Sequence, residues 1–438
     1  MKDSAYKKYL LVLLLVVLAF NFVDRLALGL VMQDIKKELD LSDTQLGLLT
    51  GFAFAVFYSV MGIPIARWAD RGNRITIITV TTALWSVMVA LCGAATSFLH
   101  LMLIRIGIAV GEAGAVPPAH SLIADHFNRA ERPRAMGIYM LGIPLSAFIG
   151  YFGAGWLNEL FGWRMMFVIL GLPGVGLALL ASLTLREPRL TGAVKVEARD
   201  GQPGMKETFV TLWKIPTFRH MLLVFSVLFF FNNGITQWMP TFFIRSHGFT
   251  TGQLGTWFTL AFGVSGFIGI YAGGALASRY LPNNERMQLR IVALLFLCMF
   301  IVRPISFLVP GAGWAFGLMV PAAFVVYIAD GPLFAVVQSL VPDRMRATSI
   351  ALIYLCANLI GLGLGPLVVG ALSDLYQPWA GDNSLRYALV SLCPGYLWVI
   401  WQLWKASDTV TQDLEVARNE AVARNEAPTN LTFAEARQ

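Results

Sequence analysis

Residues 9–31 read YLLVLLLVVLAFNFVDRLALGLV, and within them Asn21, Asp24 and Arg25 are the only strongly polar side chains. At about 1.5 Å per residue, such a run crosses the ~30 Å apolar core of a bilayer. Lys2, Lys7 and Lys8 precede it, as in a secretory signal. It continues past Asp24 to Val31, too long for a cleaved segment, and no A-x-A site closes it. The stretch therefore reads as a first membrane span. A charge at membrane depth costs roughly 2.5–3.5 kcal/mol, so Asp24 and Arg25 call for a use.

The rest of the chain repeats the pattern. Of 438 residues, 57% are hydrophobic and 13% charged, with a mean hydropathy of +0.65. A soluble chain carries roughly 25% charge. Apolar blocks of this length predict an all-α membrane protein; a β-barrel would alternate over about 10 residues. Twelve spans are expected: 9–31, 45–66, 75–96, 99–122, 135–157 and 163–185, then 219–244, 253–278, 290–310, 313–341, 347–373 and 385–404. The organisation expected is a six-helix bundle (1–185), a polar cytoplasmic linker (186–218), a second six-helix bundle (219–404) and a cytoplasmic tail (405–438). The tail holds a short duplication, 416–421 and 422–427, to which no function is assigned.

Charge placement sets the orientation. Of the 33 Lys and Arg residues, 25 fall on the side of the N-terminus. The other side holds Lys36, Lys37, Arg164, Arg245, Arg303 and Arg386, and Arg25 and Arg105 are intramembrane. The positive-inside rule makes both termini cytoplasmic. The expected location is the plasma (cytoplasmic) membrane, as a multi-pass protein. Basic residues confined to short loops speak for topology and against nucleic-acid binding. Cys92, Cys298, Cys356 and Cys393 all lie in apolar blocks and read as small buried hydrophobes.

The halves echo one another. Ala66-Arg67-Trp68-Ala69-Asp70-Arg71 follows span 2, and Gly274-Ala275-Leu276-Ala277-Ser278-Arg279 follows span 8, 208 residues on. Arg132-Pro133-Arg134-Ala135 precedes span 5, and Arg344-Met345-Arg346-Ala347 precedes span 11, 212 residues on. Six plus six helices with matching loops fit a parallel-repeat transporter.

These loops resemble the signatures of the major facilitator superfamily. Its G-x-L-a-D-R-x-G-R motif is met at Asp70, Arg71 and Arg74, with departures at Ala66 and Asn73. Arg105 to Gly111 resembles its R-x-x-x-x-x-G motif, and Gly162-Trp163-Arg164 is typical of it. Residues 20–155 are similar to the spinster family of lipid transporters. The residues are Asn21-Phe22-Val23-Asp24-Arg25, Leu84-Trp85-Ser86, Val110-Gly111-Glu112-Ala113, Leu122-Ile123-Ala124-Asp125-His126-Phe127, Ile143-Pro144 and Gly150-Tyr151. Some of these patterns also occur in anion:cation symporters of sugar acids. The resemblance implies the major facilitator fold, twelve helices in two pseudo-symmetric halves, and no enzymatic activity.

Asn21, Asp24 and Arg25 share one face of a helix, and Arg105 and Glu112, two turns apart, share another. They could be fixed buried ion pairs. Alternatively, Asp24 and Glu112 are proton sites tuned by Arg25 and Arg105, since burial favours the neutral carboxyl and a guanidinium favours the charged one. Both relatives imply the proton role. Glu112 is the first choice, because Asp24 has Arg25 beside it in sequence. Arg25, Arg105 and Asn21 would also receive an anionic headgroup, for which Arg offers a bidentate fork.

The second half offers Phe229, Phe230, Phe231, Asn232, Asn233, Gln237 and Trp238, then Tyr327, Asp330 and Gln338. Its aromatics are packing or lipid-facing residues, or one wall of a cavity for an amphiphile. Asp330 is a proton site or a cap on a helix break before Gly331-Pro332. His120 is a proton relay or a satisfied polar group near a helix end. Asp70, Arg71 and Arg74 should latch cytoplasmic helix ends.

Gly361-x-Gly363-x-Gly365-Pro366 lies in an apolar span with no strand before it, so it is no nucleotide loop. The chain carries no Walker A and no H-E-x-x-H sequence. The sequence thus predicts a monomeric, proton-coupled secondary transporter needing no cofactor or metal. Its partners would be protons, membrane lipids and a lipid-like anionic or zwitterionic substrate, lysophospholipid or sphingosine phosphate by resemblance. A symporter of a small organic anion such as a sugar acid is the alternative.

Overall fold

The structure, a computed structural model, describes residues 3–128, 131–188, 205–281, 284–342 and 345–435. Nine helical stretches among them are long and apolar enough to cross a membrane. Two of these, Arg134–Thr184 and Thr348–Asn419, each fold back on themselves and hold two crossings. The folds fall at Gly162 and Gly381, whose φ values of 78° and 53° suit glycine. With 251–280 the set is twelve helices in two six-helix halves.

In order, these are α1 (Asp3–Leu39), α2 (43–71), α3 (Arg74–Cys92), α4 (Phe98–His126), α5 (132–161) and α6 (163–184). A short helix, Met205–Trp213, precedes the second half. That half comprises α7 (Pro216–His247), α8 (251–280), α9 (Glu285–Leu308), α10 (Ala312–Leu340), α11 (346–380) and α12 (384–435).

Local chemistry repeats between the halves. α2 opens on a capping box, Ser42 with Gln45, and α8 opens on the same device, Thr250 with Gln253. Each box satisfies two backbone donors that a helix start otherwise leaves open. α2, α5, α8 and α11 each contain a π-helical segment, at Leu48–Phe52, Phe148–Gly153, Thr259–Val264 and Ala357–Leu364. Widened turns of this kind are rare and cluster at functional sites.

Those four helices pair across the two halves, α2 with α11 and α5 with α8. A side chain on Gly155 of α5 would come within 3.0 Å of Gly255 Cα on α8, and one on Gly51 of α2 within 2.7 Å of the Gly363 carbonyl on α11. Only backbones without side chains can approach so closely. Polar contacts complete the seam. The Asp43 carboxylate accepts both Arg245 Nη groups at 2.7 Å, Lys36 Nζ at 2.5 Å and Ser373 Oγ at 2.6 Å. Asp374 accepts the backbone N–H groups of Asp43 (3.0 Å) and Thr44 (2.7 Å), holding the start of α2 from the opposite half. Asn158 reaches Thr251 at 3.0 Å, and Gly252 N–H donates to Glu159 at 2.7 Å. All these groups lie at the helix ends remote from the termini, so the molecule is closed on that side.

Candidate functional site

α1 and α4 bring the four intramembrane charges together, but in crossed pairs. Arg25 Nε and Nη2 donate to Glu112 Oε2, Nε at 3.0 Å. Arg105 Nη1 donates to Asp24 Oδ2, and its Nε approaches the Leu49 carbonyl at 3.4 Å. The sequence groups Arg25 with its neighbour Asp24, and Arg105 with Glu112 two turns away on the same face. Adjacent residues on a helix diverge by about 100°, and two turns separate Arg105 from Glu112 by about 10 Å. Each guanidinium therefore reaches the acid of the other helix. The reason given for preferring Glu112, an Arg beside Asp24, is thereby removed.

Asp24, Arg105 and Glu112 are buried to 2% exposure or less. Phe54 lies between the cations, its ring 4.4 Å from the Arg25 guanidinium and 5.0 Å from that of Arg105. Arg25 also stacks on Phe22 and Tyr58. Such faces attract a desolvated cation. Asn21 donates to the Glu112 carbonyl at 3.4 Å. That carbonyl stands where α4 bends: Pro117 and Pro118 have no N–H to give, and 113–115 form a turn. The acids are neighbours of one another. One oxygen of each, Asp24 Oδ1 and Glu112 Oε1, has no hydrogen-bond partner among the described residues.

A cavity of about 360 Å³ opens in front of this cluster. Arg25 lines it; Asn21, Asp24, Arg105 and Glu112 stand behind Arg25 and do not. A headgroup contact expected of Arg105 and Asn21 is thus not available in this conformation, because both are buried in the α1–α4 contact. Across the cavity lie Asn232, Asn233, Gln237, Tyr327 and Asp330, as expected. Gln237 donates to the Arg25 carbonyl at 3.2 Å and joins the halves. Gln338 does not line the cavity: it is exposed near the end of α10, where its carbonyl accepts from Arg346 Nε at 3.0 Å. α10 runs unbroken through Gly331 and Pro332, so Asp330 caps no break. Its carboxylate has no ion pair among the described residues.

Of the expected latch, Arg74 is fully buried and binds Glu187, Asp125 (2.5 Å) and Ser121 (2.8 Å). It ties the start of α3 to the end of α4 and to the chain after α6, within one half. The side chains of Asp70 and Arg71 lie outside the described residues. His120 packs edge-on against Tyr139, away from the cavity. Glu38 accepts from Trp163 at 2.5 Å and from Arg164 at 2.8 Å, which anchors the turn between α5 and α6.

The sequence reading missed Asp43, Arg245 and Asp374, and it counted Arg303 among cations of the membrane edge. Arg303 is 1% exposed, inside α9, and lines the cavity. The signal available was its place in the apolar run Phe300-Ile301-Val302-Arg303-Pro304-Ile305.

Known proteins share this architecture. The chain is 33% identical to an MFS-type efflux pump of Mycolicibacterium smegmatis, over 85% of this chain and 86% of that protein. It is 26% identical to the hexuronate transporter of Bacillus subtilis, over 84% and 88%. It is also similar to the crystal structure of a bacterial homologue of the human lysosomal transporter Spinster, inward-facing and unoccupied. The TM-score is 0.83 at 29% identity, covering 93% of this chain and 98% of that one. The family model of the Major Facilitator Superfamily matches residues 14–401, through both halves and the seam between them. A membrane cavity between two six-helix halves, closed at one end, is the architecture of a solute carrier rather than an enzyme, and this chain belongs to the Major Facilitator Superfamily.

Proposed function

We propose that the protein is a proton-coupled secondary transporter of a lipid-like anionic or zwitterionic amphiphile, working by alternating access. The observation that carries this is the crossed cluster. Both acids and the Arg105 guanidinium are buried, while Arg25 opens on to the cavity, and each acid keeps one oxygen that no donor among the described residues meets. A proton is the donor that this pair of acids lacks. Two neighbouring buried carboxyls can hold a proton between them, so Asp24 and Glu112 together are the proton site. Arg25 faces both the acids and the cavity, and couples the proton to the substrate. Protonation of Glu112 frees the Arg25 guanidinium for an anion.

Asn21 and Arg105 act from behind, holding the Glu112 backbone and the Asp24 carboxylate. Asn232, Asn233, Gln237, Tyr327 and Asp330 form the opposite wall. Aromatic side chains such as Phe225, Phe229 and Phe262 around the same cavity suit an acyl chain. Arg74 holds helix ends together on the terminal side, expected to be cytoplasmic from the charge distribution, and the latch role of Asp70 and Arg71 rests on their sequence motif alone. The two bundles, 1–185 and 219–404, rock about the glycine contacts of α2–α11 and α5–α8. The efflux role named for the mycobacterial relative supports export.

A proton-linked symporter of a small organic anion is the second reading, favoured by the hexuronate relative and by a cavity small for a whole lipid. Ligand pockets span roughly 300–1,000 Å³. The two are separated by flux in proteoliposomes under an imposed pH gradient, comparing a labelled lysophospholipid with a labelled sugar acid. Lysophospholipid flux supports the first reading. Sugar-acid flux alone overturns it in favour of the second.

A further inference from the structure

Arg303 is a cation without a counter-ion among the described residues. It is 1% exposed, yet its Nε and Nη1 have no hydrogen-bond partner, and it forms no ion pair among the described residues. Cys393 and Tyr396 lie near it, and neither offers a carboxylate to pair with. A buried guanidinium in this state is strongly disfavoured unless something outside the protein meets it. A structural arginine would spend its five donors on carbonyls or carboxylates, as Arg74 and Arg164 do. Arg303 instead lines the cavity.

The other charges of that wall do not serve it. Arg25 is matched by Glu112. Asp330 has no ion pair among the described residues, but the helix geometry separates it from Arg303. Arg303 stands five residues before the end of α9, and Asp330 eighteen after the start of α10. At about 1.5 Å per residue, Arg303 is attached roughly 20 Å nearer the closed end. Both helices belong to the same half, so rocking of the halves does not bring the two together.

We propose that Arg303 seats the anionic group of the substrate, a carboxylate or phosphate, towards the closed end of the cavity. This deepens the transport reading above and rests on it. The ligand enters anion first, and its apolar part extends past Phe296 and Phe229 towards the open mouth. Arg25 and Arg303 then divide the work: one responds to the proton, the other recognises the charge.

The test uses the purified full-length protein in detergent. Binding is titrated with lysophosphatidylglycerol, with monoacylglycerol of the same chain length, and with glucuronate. Wild type is compared with Arg303→Gln and Arg303→Lys. Hydrogen bonds to a charged group contribute enough that Arg303→Gln should weaken a charged probe about tenfold or more, while Arg303→Lys recovers part of the loss. Monoacylglycerol affinity should stay within about twofold. A charge-dependent loss for lysophosphatidylglycerol assigns a lipid anion, and for glucuronate a small acid; either supports the site. Equal loss for charged and neutral probes, or no loss, overturns it, as does a wild type that binds neither charged probe. Should Arg303→Gln not fold, phenylglyoxal modification of the wild type decides. The charged probe must shield Arg303 and monoacylglycerol must not; equal modification overturns the proposal. Charge discrimination that persists without pH-driven flux would overturn the transport reading and leave the anion site standing.

Discussion

Arg105 and Asp24 illustrate what a buried pair does in a membrane protein. Each neutralises the other where water cannot, and neither reaches the cavity. Removing one partner strands the other, which typically costs about 3–5 kcal/mol. Arg105→Met should therefore lower the thermal midpoint in detergent sharply. Adding Asp24→Asn should restore most of it, because the stranded charge is then gone. Additive losses would show that the two side chains are not coupled. These residues were legible from charge alone, since four ionisable groups in the first and fourth spans have few explanations. Their partners were not, because pairing depends on how α1 and α4 are rotated against each other, and no spacing within either helix encodes that. Arg303 was misjudged for a related reason. Five residues from a helix end places a Cα near the membrane edge, but the side chain leans back towards the helix N-terminus, which here points inward.

At the scale of elements, the seam between the halves is built from few parts. Asp43 is its hub, gathering Lys36, Arg245 and Ser373 from three helices. Asp43→Ala should loosen the closed end. In that background Thr251→Cys, buried at 8% exposure in the parent, should react several-fold faster with a membrane-impermeant maleimide than Thr251→Cys alone. Unchanged reactivity would mean that packing, not the ion pair, holds the seam. Gly155→Leu should act through packing: with Gly255 about a Cβ contact away, a leucine cannot fit while α5 and α8 touch. The variant should favour the conformation in which this end is open, seen as wider separation of spin labels across α5 and α8. An unaltered distance would show that the glycine contact is dispensable. The twelve helices were readable because hydrophobic length is a one-dimensional property. The capping boxes at Ser42 and Thr250 stand 208 residues apart, the offset of the loops after spans 2 and 8, a signal present in the sequence that went unread. The π-helical turns were not, since a widened turn answers to the neighbouring helix rather than to its own side chains.

For the whole molecule, the two halves differ in chemistry while sharing a plan. The first carries a balanced charge cluster, the second a wall of amides, aromatics, Asp330 and Arg303. The 25 basic residues on the terminal side lead the positive-inside rule to expect both termini in the cytoplasm. A cysteine placed in the tail should be labelled from outside intact cells only after permeabilisation, and labelling before it would invert the topology. Such an architecture can link proton movement to substrate movement, because the acids and the cavity share Arg25. The decisive experiment is flux in proteoliposomes under an imposed pH gradient, for wild type and Glu112→Gln, with the substrate that the wild type carries. The expected result is flux driven by the gradient in the wild type, and flux indifferent to it in Glu112→Gln, with the variant still folded and still binding. Equal response of both proteins to the gradient would contradict the account: Glu112 would then be a structural partner of Arg25, and the proton would travel elsewhere.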